Sequence, residues 1–435
     1  MTLRSPGCAL PTAARLAPAL LLLSLSASPA LAQPAGLTEP PSLAALNTLS
    51  LIGAINLTLD RYPDLDAARA ALDEATARLE QTQRLPNPEL ELLTGRLQGR
   101  RDDVPQGARH NLGLTQPLVW PAARAARFEA GRQEVEVARM DYERIRLELA
   151  HQVKLAYLEV LRAQNLLRLA EEDYQHILGV RDRIKAKVQV GESPRYEAVK
   201  AEAEALTAAR QVEAARDQLR ASQALLAHLT GRAGSALSPL KSLPPETLEL
   251  TELHQAMVQG NPRYAQARAR VAAARAGVEE ARADRLPPPT LKAQFERAPD
   301  SDAWLIGLAL PVPLFDQRQG VVAAAEARLD RSLAEGRLEL LQLERALEQA
   351  FYQYRRARTQ WQALEGGLLT EAKAALSVAE EAFRAGERGI LDVLDARRTL
   401  RAVRVDGVHA LFDTYAALVE LERLTTRPLL AETAE

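Results

Sequence analysis

The stretch "KAKVQVGESPRYEAVKAEAE" (185–204) is answered far downstream by "EEAFRAGERGILDVLDARRT" (380–399). Each runs from helix-forming sequence through a Gly-Glu pair and back into helix-forming sequence, and Gly191 and Gly386 stand 195 residues apart. Reversing a helix within a few residues usually needs a left-handed backbone position, which glycine adopts without strain. Both stretches therefore predict the tip of a helical hairpin.

The echo extends outward in both directions. "YPDL" (62–65) answers "NPRY" (261–264), "RLPNPELEL" (84–92) answers "RLPPPTLKA" (285–293), "GLTQPLVWP" (113–121) answers "GLALPVPLF" (307–315), and "HLTGR" (228–232) answers "RLTTR" (423–427). The offsets lie between 194 and 201 and keep their order, which predicts two tandem repeats. Residues 50–232 form the first and 247–427 the second, joined by a Ser/Pro-containing linker, 233–246. Each repeat reads helix, strand, loop, strand, very long helix, tip, helix. In the first, strands fall at about 88–97 and 110–118, a long helix at 122–190, a tip at 190–194 and a returning helix at 195–230. In the second, strands fall at about 289–298 and 303–314, a long helix at about 316–385, a tip at 385–389 and a helix at 390–425, leaving a tail at 428–435.

No proline occurs between Pro121 and Pro194, so that stretch, as one helix, would span roughly 100 Å. Small or apolar residues recur along it at steps of four and three: Leu149, Val153, Ala156, Val160, Ala163, Leu167, Ala170, Tyr174, Ile177. The second repeat has its own seam: Leu343, Leu347, Ala350, Tyr354, Ala357, Trp361, Leu364, Leu368. Sustained heptads of this kind mark coiled coils. A second stripe beside the first (Leu155, Leu158, Leu166, Leu169) gives each helix two neighbours, as in a ring of helices.

Targeting and charge narrow the class. Arg4 and Arg15 precede "LAPALLLLSLSASPALA" (16–32), ending in Ala30-Leu31-Ala32, which reads as a cleaved secretory signal over 1–32, followed by an extension, 33–49. Cys8, the one cysteine, lies inside this leader, which leaves the remainder without disulfide or thiol chemistry. A net charge of −2 and a pI of about 6.4 give no sign of a nucleic-acid partner. No later segment has the apolar length of a membrane-spanning helix. The four strand segments are each near the 9–11 residues of a tilted membrane strand. Taken alone they fit either two hairpins of a soluble domain or strands in a bilayer. In lipid, four strands could not close a barrel, and an open sheet would strand its backbone polar groups. Several chains would have to share one barrel.

Two carboxylate-x-x-His pairs, Glu148/His151 and Asp173/His176, have the spacing of helical metal ligands but lie on one helix, 25 residues or about 37 Å apart. They cannot meet within a chain, and solvated helix faces are the better reading. No nucleophile elbow, zinc-protease helix or phosphate-binding glycine loop is present. The sequence predicts no enzyme, no cofactor and no resident metal.

The order of parts resembles the TolC family of outer-membrane channels over nearly the whole chain beyond the leader. "QPLVWPAARAARFEA" (116–130) and "LPVPLFDQRQGVVAAAEARL" (310–329) look most like its CzcC-type branch of heavy-metal cation exporters, and "GILDVLDARRTL" (389–400) is similar to its tunnel-end motif. The resemblance implies a mainly α fold with a small β part. A homotrimer would combine four strands per chain in a 12-stranded outer-membrane barrel above a hollow periplasmic helical tunnel. Pro86, Pro88, Pro117, Pro121, Pro287, Pro311 and Pro313 stand where that family turns between helix and strand, and loss of helical N–H donors there makes physical sense. The implied partners are outer-membrane lipid, a periplasmic adaptor and an inner-membrane pump of the RND type. The adaptor would meet the tips Val190, Gly191, Glu192 and Ser193, and Ala385, Gly386 and Glu387. Asp392 and Asp395 would form an acidic ring at the tunnel mouth, with Arg388 clasping Glu197, the acid that the repeat puts at the depth of Asp392. Arg388 with Asp392 also has the spacing of an ordinary solvent-exposed helical pair. The first tip departs from the family pattern at Pro194 and Tyr196. Other outcomes of the same fold are a multidrug or type I secretion channel. A soluble exported coiled-coil scaffold, or the adaptor itself, is the rival of different class, although an adaptor would have β-rich domains flanking a single hairpin.

Overall fold

The computed structural model describes residues 48–98, 106–234, 236–240 and 247–430. The signal segment 1–32, the extension up to residue 47, part of the 233–246 linker and residues 431–435 of the tail lie outside them. The first repeat contains β1 (Thr48–Leu49), α1 (Leu51–Leu59), α2 (Pro63–Thr82), β2 (Glu89–Leu97), β3 (Gly107–Pro117), α3 (Pro121–Gln189) and α4 (Arg195–Thr230). After β4 (Ala236–Leu237) the second contains α5 (Leu250–Gly260), α6 (Pro262–Ala283), β5 (Thr290–Arg297), β6 (Asp302–Ala309), α7 (Gln319–Ala363), α8 (Leu369–Arg384) and α9 (Ile390–Thr425). Pro63, Pro121 and Pro262 each open a helix, where the missing N–H is no loss. Asn261 caps α6 through its side-chain oxygen and donates to Leu424 O at 2.8 Å, tying the start of α6 to the end of α9.

Toward the strands, α3 packs on α2 and α6, and α6 on α7; toward the tips, α3 packs on α4, α9 on α7 and α8, and α3 on α9. The largest core lies midway, where Val153, Tyr157 and Val160 of α3 meet Leu343, Leu347 and Tyr354 of α7 and Leu418, Leu421 and Leu424 of α9. Beside it β1 and β4 form a short parallel ladder, and the Tyr157 hydroxyl stands 2.9 Å from Leu49 O and 2.7 Å from Ser238 O. The two repeats are thus joined at mid-length by buried packing rather than by the linker alone.

The other four strands make one antiparallel sheet, in the order β2-β3-β5-β6. Its register brings Leu92, Leu112, Phe295 and Trp304 into one row, and Leu90, Leu114, Ala293 and Ile306 into the next. These lie on one face; Glu91, Gly113, Gln294 and Leu305, then Glu89, Thr115, Lys292 and Gly307, lie on the other. Among the described residues nothing covers the apolar face: Trp304 is 80 % and Ile306 83 % exposed. β6 ends at Ala309 although apolar alternation continues through Leu310, Val312 and Leu314 and predicts a strand to 314. Pro311 and Pro313 have no N–H to give a ladder, and the last pair is Thr290 with Ala309.

The long helix expected over 316–385 is broken once. Between α7 and α8, residues Leu364–Leu368 ("LEGGL") form a single π-helical turn. Its origin is visible in the repeat. Leu149, Val153, Ala156 and Ala163 answer Leu343, Leu347, Ala350 and Ala357 at an offset of 194, whereas Ile184, Val188 and Gly191 answer Ala379, Phe383 and Gly386 at 195. The second repeat has gained one residue between these points, and the π turn absorbs it, so that the buried stripe stays on one face.

Candidate functional site: hairpin tips and sheet faces

Both tips are the same backbone device. Gly191 (φ 83°) and Gly386 (φ 79°) take the left-handed conformation just past the ends of α3 and α8. Gly191 N–H donates to Val188 O and Glu192 N–H to Lys187 O; Gly386 N–H donates to Phe383 O and Glu387 N–H to Ala382 O. This is a Schellman closure in each repeat. Behind the turns a shared apolar cluster joins the hairpins: Ile177, Val180 and Ile184 of α3, Ala201 and Ala205 of α4, and Ile390, Val393 and Leu394 of α9. Lys187 Nζ stands 4.7 Å from the centre of the Phe383 ring. Val190, Gly191 and Glu192, like Ala385, Gly386 and Glu387, are exposed, and Ser193 is half-buried.

The stretch 389–400 therefore divides its labour. Ile390, Val393 and Leu394 are buried in the cluster, while Asp392 and Asp395 face outward. Arg388 Nη1 lies 3.6 Å from Asp392 Oδ2, one turn along its own chain. Glu197 reaches the same level from α4, its Oε1 3.9 Å from where a side chain on Gly389 would begin. Within one chain Glu197 thus comes near Gly389, and the arginine turns to Asp392.

A set of arginines on α9 escaped the sequence reading. Arg397 Nη2 is 2.5 Å from Glu380 Oε1 on α8, Arg398 pairs with Glu204 on α4, and Arg401 donates to Gln211 of α4 at 2.5 Å and faces Asp173 of α3 at 3.6 Å. Arg404 faces Glu172 at 3.7 Å. Their spacing, which places Arg397, Arg401 and Arg404 on one face, was the available signal. The corresponding residues of α4 at the tip offset are Glu202, Leu206 and Ala209, so at these positions the first hairpin carries no matching cations. Burial raises the Asp173 carboxyl above its usual range, and the Arg401 and Arg397 charges offset only part of that rise.

Higher up, His151 Nε2 lies 3.0 Å from Glu420 Oε2, and Arg423 bridges to Glu420 at 2.5 Å. Burial acts to raise Glu420, but hydrogen bonding to Arg423 and His151 outweighs it and takes the carboxyl down to about 2. Next to them Lys154 Nζ is 2.6 Å from Glu422 Oε2, while the other Glu422 oxygen accepts the Leu429 and Leu430 amides. His151 and Asp173 are thus taken up in different contacts, and among the described residues no three His, Cys, Asp or Glu side chains gather as a metal site.

The prolines stand at the junctions. Pro86 and Pro88 lie between α2 and β2, Pro117 ends β3, Pro121 begins α3, Pro287 precedes β5, and Pro311 and Pro313 follow β6. Two proline carbonyls stitch the repeats together here, Trp120 Nε1 donating to Pro287 O and Leu118 N–H to Pro289 O, while Gln116 Nε2 donates to Pro86 O within the first repeat.

With this geometry in hand, a family profile described as "Outer membrane efflux protein" matches residues 54–232 and 253–427. The chain is 28 % identical over 390 residues to the cobalt-zinc-cadmium resistance protein CzcC of Cupriavidus metallidurans, covering 88 % of this chain and 91 % of that one. It is 27 % identical over 301 residues to the pyoverdine export outer membrane protein OpmQ of Pseudomonas putida, covering 65 % of this chain and 62 % of that one. Among solved structures, CusC superposes with a TM-score of 0.73 at 18 % identity, over 86 % of this chain and 91 % of that one.

Proposed function

The chain belongs to the outer membrane efflux protein family, a family of non-enzymatic outer-membrane channels, and on that premise we propose that three copies form a passive exit duct for divalent heavy-metal cations. The carrying observation is the sheet. It is apolar on one face and polar on the other, both open, and its edge strands β2 and β6 run in opposite directions. The β6 edge of one copy then meets the β2 edge of the next in antiparallel register, and three copies close a 12-stranded barrel without a free edge. Polar side chains such as Glu91, Gln294 and Lys292 line the lumen and the leucine rows face lipid.

Below the barrel the helices continue as a tunnel whose mouth carries Asp392 and Asp395 three times over. Exposed carboxylates in a ring concentrate cations, and the duct needs no tighter site, because a bound ion must also leave. Nothing is hydrolysed along the path. Energy comes from an inner-membrane pump of the RND type, and an adaptor meets the tips at Val190–Ser193 and Ala385–Glu387. Arg388, paired with Asp392 in the single chain, is exposed enough to exchange that partner for Glu197 in the assembled ring and so hold the resting mouth shut.

The first test is the mass of the detergent-solubilised particle. Three chains are expected, and one or two would overturn the duct. In planar bilayers, Asp392→Asn with Asp395→Asn should lower cation preference; unchanged selectivity removes these residues from the pore. The similarity to a pyoverdine exporter keeps an organic cargo as the second reading. Growth of a deletion strain on zinc, cobalt, cadmium and organic toxins separates the two, since a metal duct leaves organic tolerance untouched.

A further inference from the structure

The lipid-facing side of the sheet ends in a row of different chemistry. One step beyond Leu92, Leu112, Phe295 and Trp304, toward the connections that point away from the helices, the register aligns Thr94, His110, Arg297 and Asp302. Arg96 follows on the same face of β2, opposite Ala108. Arg96, His110, Arg297 and Asp302 are all exposed. Two guanidinium groups and an imidazole thus stand against a single carboxylate.

The height of this row is set by the apolar stripe below it. From Trp304 through Ile306, Leu308 and Leu310 to Val312 is about 26 Å along an extended chain, or about 20 Å when tilted as barrel strands are. Leu314 and Phe315, the latter 95 % exposed, extend the stripe at the helix side. An outer-membrane apolar band is about 25 Å tall. Filling the hydrocarbon with this stripe leaves the basic row at the headgroups of the distal leaflet. The side chains are arranged for that level. Phe295 and Trp304 pack with ring centres 4.6 Å apart, as an aromatic girdle, and the Arg297 guanidinium lies 5.8 Å from the Phe295 ring centre. Asp302 holds Arg297 at 3.0 and 3.2 Å through Nε and Nη2, which orients the fork and leaves its remaining donors directed to solvent.

We propose that Arg96, His110 and Arg297 form a belt that binds the phosphate groups of a phosphorylated glycolipid of the lipid A class in the outer leaflet. A guanidinium fork matches a phosphate monoester bidentately, whereas a zwitterionic phospholipid presents its own cation beside its phosphate. The belt rests on the reading that this sheet enters the membrane as part of a shared barrel.

The test uses the full chain, purified in detergent, with its mass determined first. Lipid A, dephosphorylated lipid A and phosphatidylethanolamine are then titrated while retained lipid is counted by native mass spectrometry and melting is followed. Lipid A should bind about tenfold more tightly than its dephosphorylated form. The triple variant Arg96→Gln, Arg297→Gln, Asp302→Asn should lose that preference, and Lys292→Gln, on the lumenal face, should keep it. Equal binding of the two lipid A forms to the wild-type protein overturns the belt without needing any variant to fold. A trimer indifferent to phosphate overturns the belt alone, while a particle that is not a trimer overturns the barrel and the belt with it.

Discussion

The two hairpins began as one design and now differ in how they are held. The first rises as one uninterrupted helix of 69 residues, α3. The second is divided by the π turn at Leu364–Leu368, and the matching place in α3 is Leu169–Asp173, "LAEED", inside regular helix. Where one repeat has Gly366 and Gly367, the other carries Glu171 and Glu172, and Glu172 and Asp173 receive the arginines of α9. A wide, side-chain-poor turn weakens the second strut at the level where the first presents its carboxylates. Above this level α9 is fixed to α3 by half-buried ion pairs; below it the ties are wetter, and exposed pairs are each worth under about 1 kcal/mol. The lower half of the second hairpin is the less firmly tied part.

The largest effect is expected when α3 is given the residue that only the second repeat possesses. Inserting one alanine between Glu171 and Glu172 rotates everything below by about 100°, carrying Ile177, Val180 and Ile184 off the tip cluster. A loss of roughly 4 kcal/mol or more is expected in denaturant melts; a melt like the wild type would show that the register of α3 is not what holds the tips.

Glu420→Gln tests the half-buried ties above the π turn. The wild-type carboxyl is held at about 2 against an ordinary 4.5, so its stabilisation is present above pH 4.5 and disappears as pH falls through about 2. The variant should lose roughly 2–3 kcal/mol at neutral pH and show no matching decline over that acid window.

Deleting Gly366 should restore an offset of 194 from the long helices to the end of the repeat and convert α7 and α8 into one helix, adding about 1 kcal/mol of stability. The same deletion should reduce spontaneous opening in single-channel records, and unaltered opening would acquit the π turn as a hinge. Arg388→Ser should act in the other direction, raising conductance of the isolated channel with a stability change under about 1 kcal/mol. Asp173→Asn should have the smallest effect. Burial raises this carboxyl, so its contribution is complete below the ordinary 3.8 and is lost as pH rises through the raised value. The asparagine variant should melt no lower than wild type at neutral pH and lose its advantage in acid.

Glycine and proline made much of this legible in the sequence, because they mark backbone events directly. Gly191 and Gly386 announced the turns, and the prolines announced the junctions. The π turn was hidden because the seam from Leu343 to Leu368 keeps its heptad spacing; the extra residue emerges only when seam and tip offsets are compared. The end of β6 was misjudged because side-chain alternation outlasts the ladder that Pro311 and Pro313 cannot join. Arg388 was matched to Glu197 by depth, yet the nearer acid one turn away, Asp392, takes it within a single chain. The α9 arginines share a helix face in the sequence, but their partners come from three other helices and share no local pattern.

The pairing of β3 with β5 has a kinetic meaning. His110 pairs with Arg297, 187 residues away, whereas α3 meets α4 through a turn of a few residues. Bringing distant segments together costs chain entropy before any contact repays it, so local helical hairpins form early and the sheet late. The greasy wall of Leu112, Phe295 and Trp304 is therefore assembled last, after the helical rods exist to carry it. That order lets the chain cross a watery compartment with its membrane-seeking surface still in pieces.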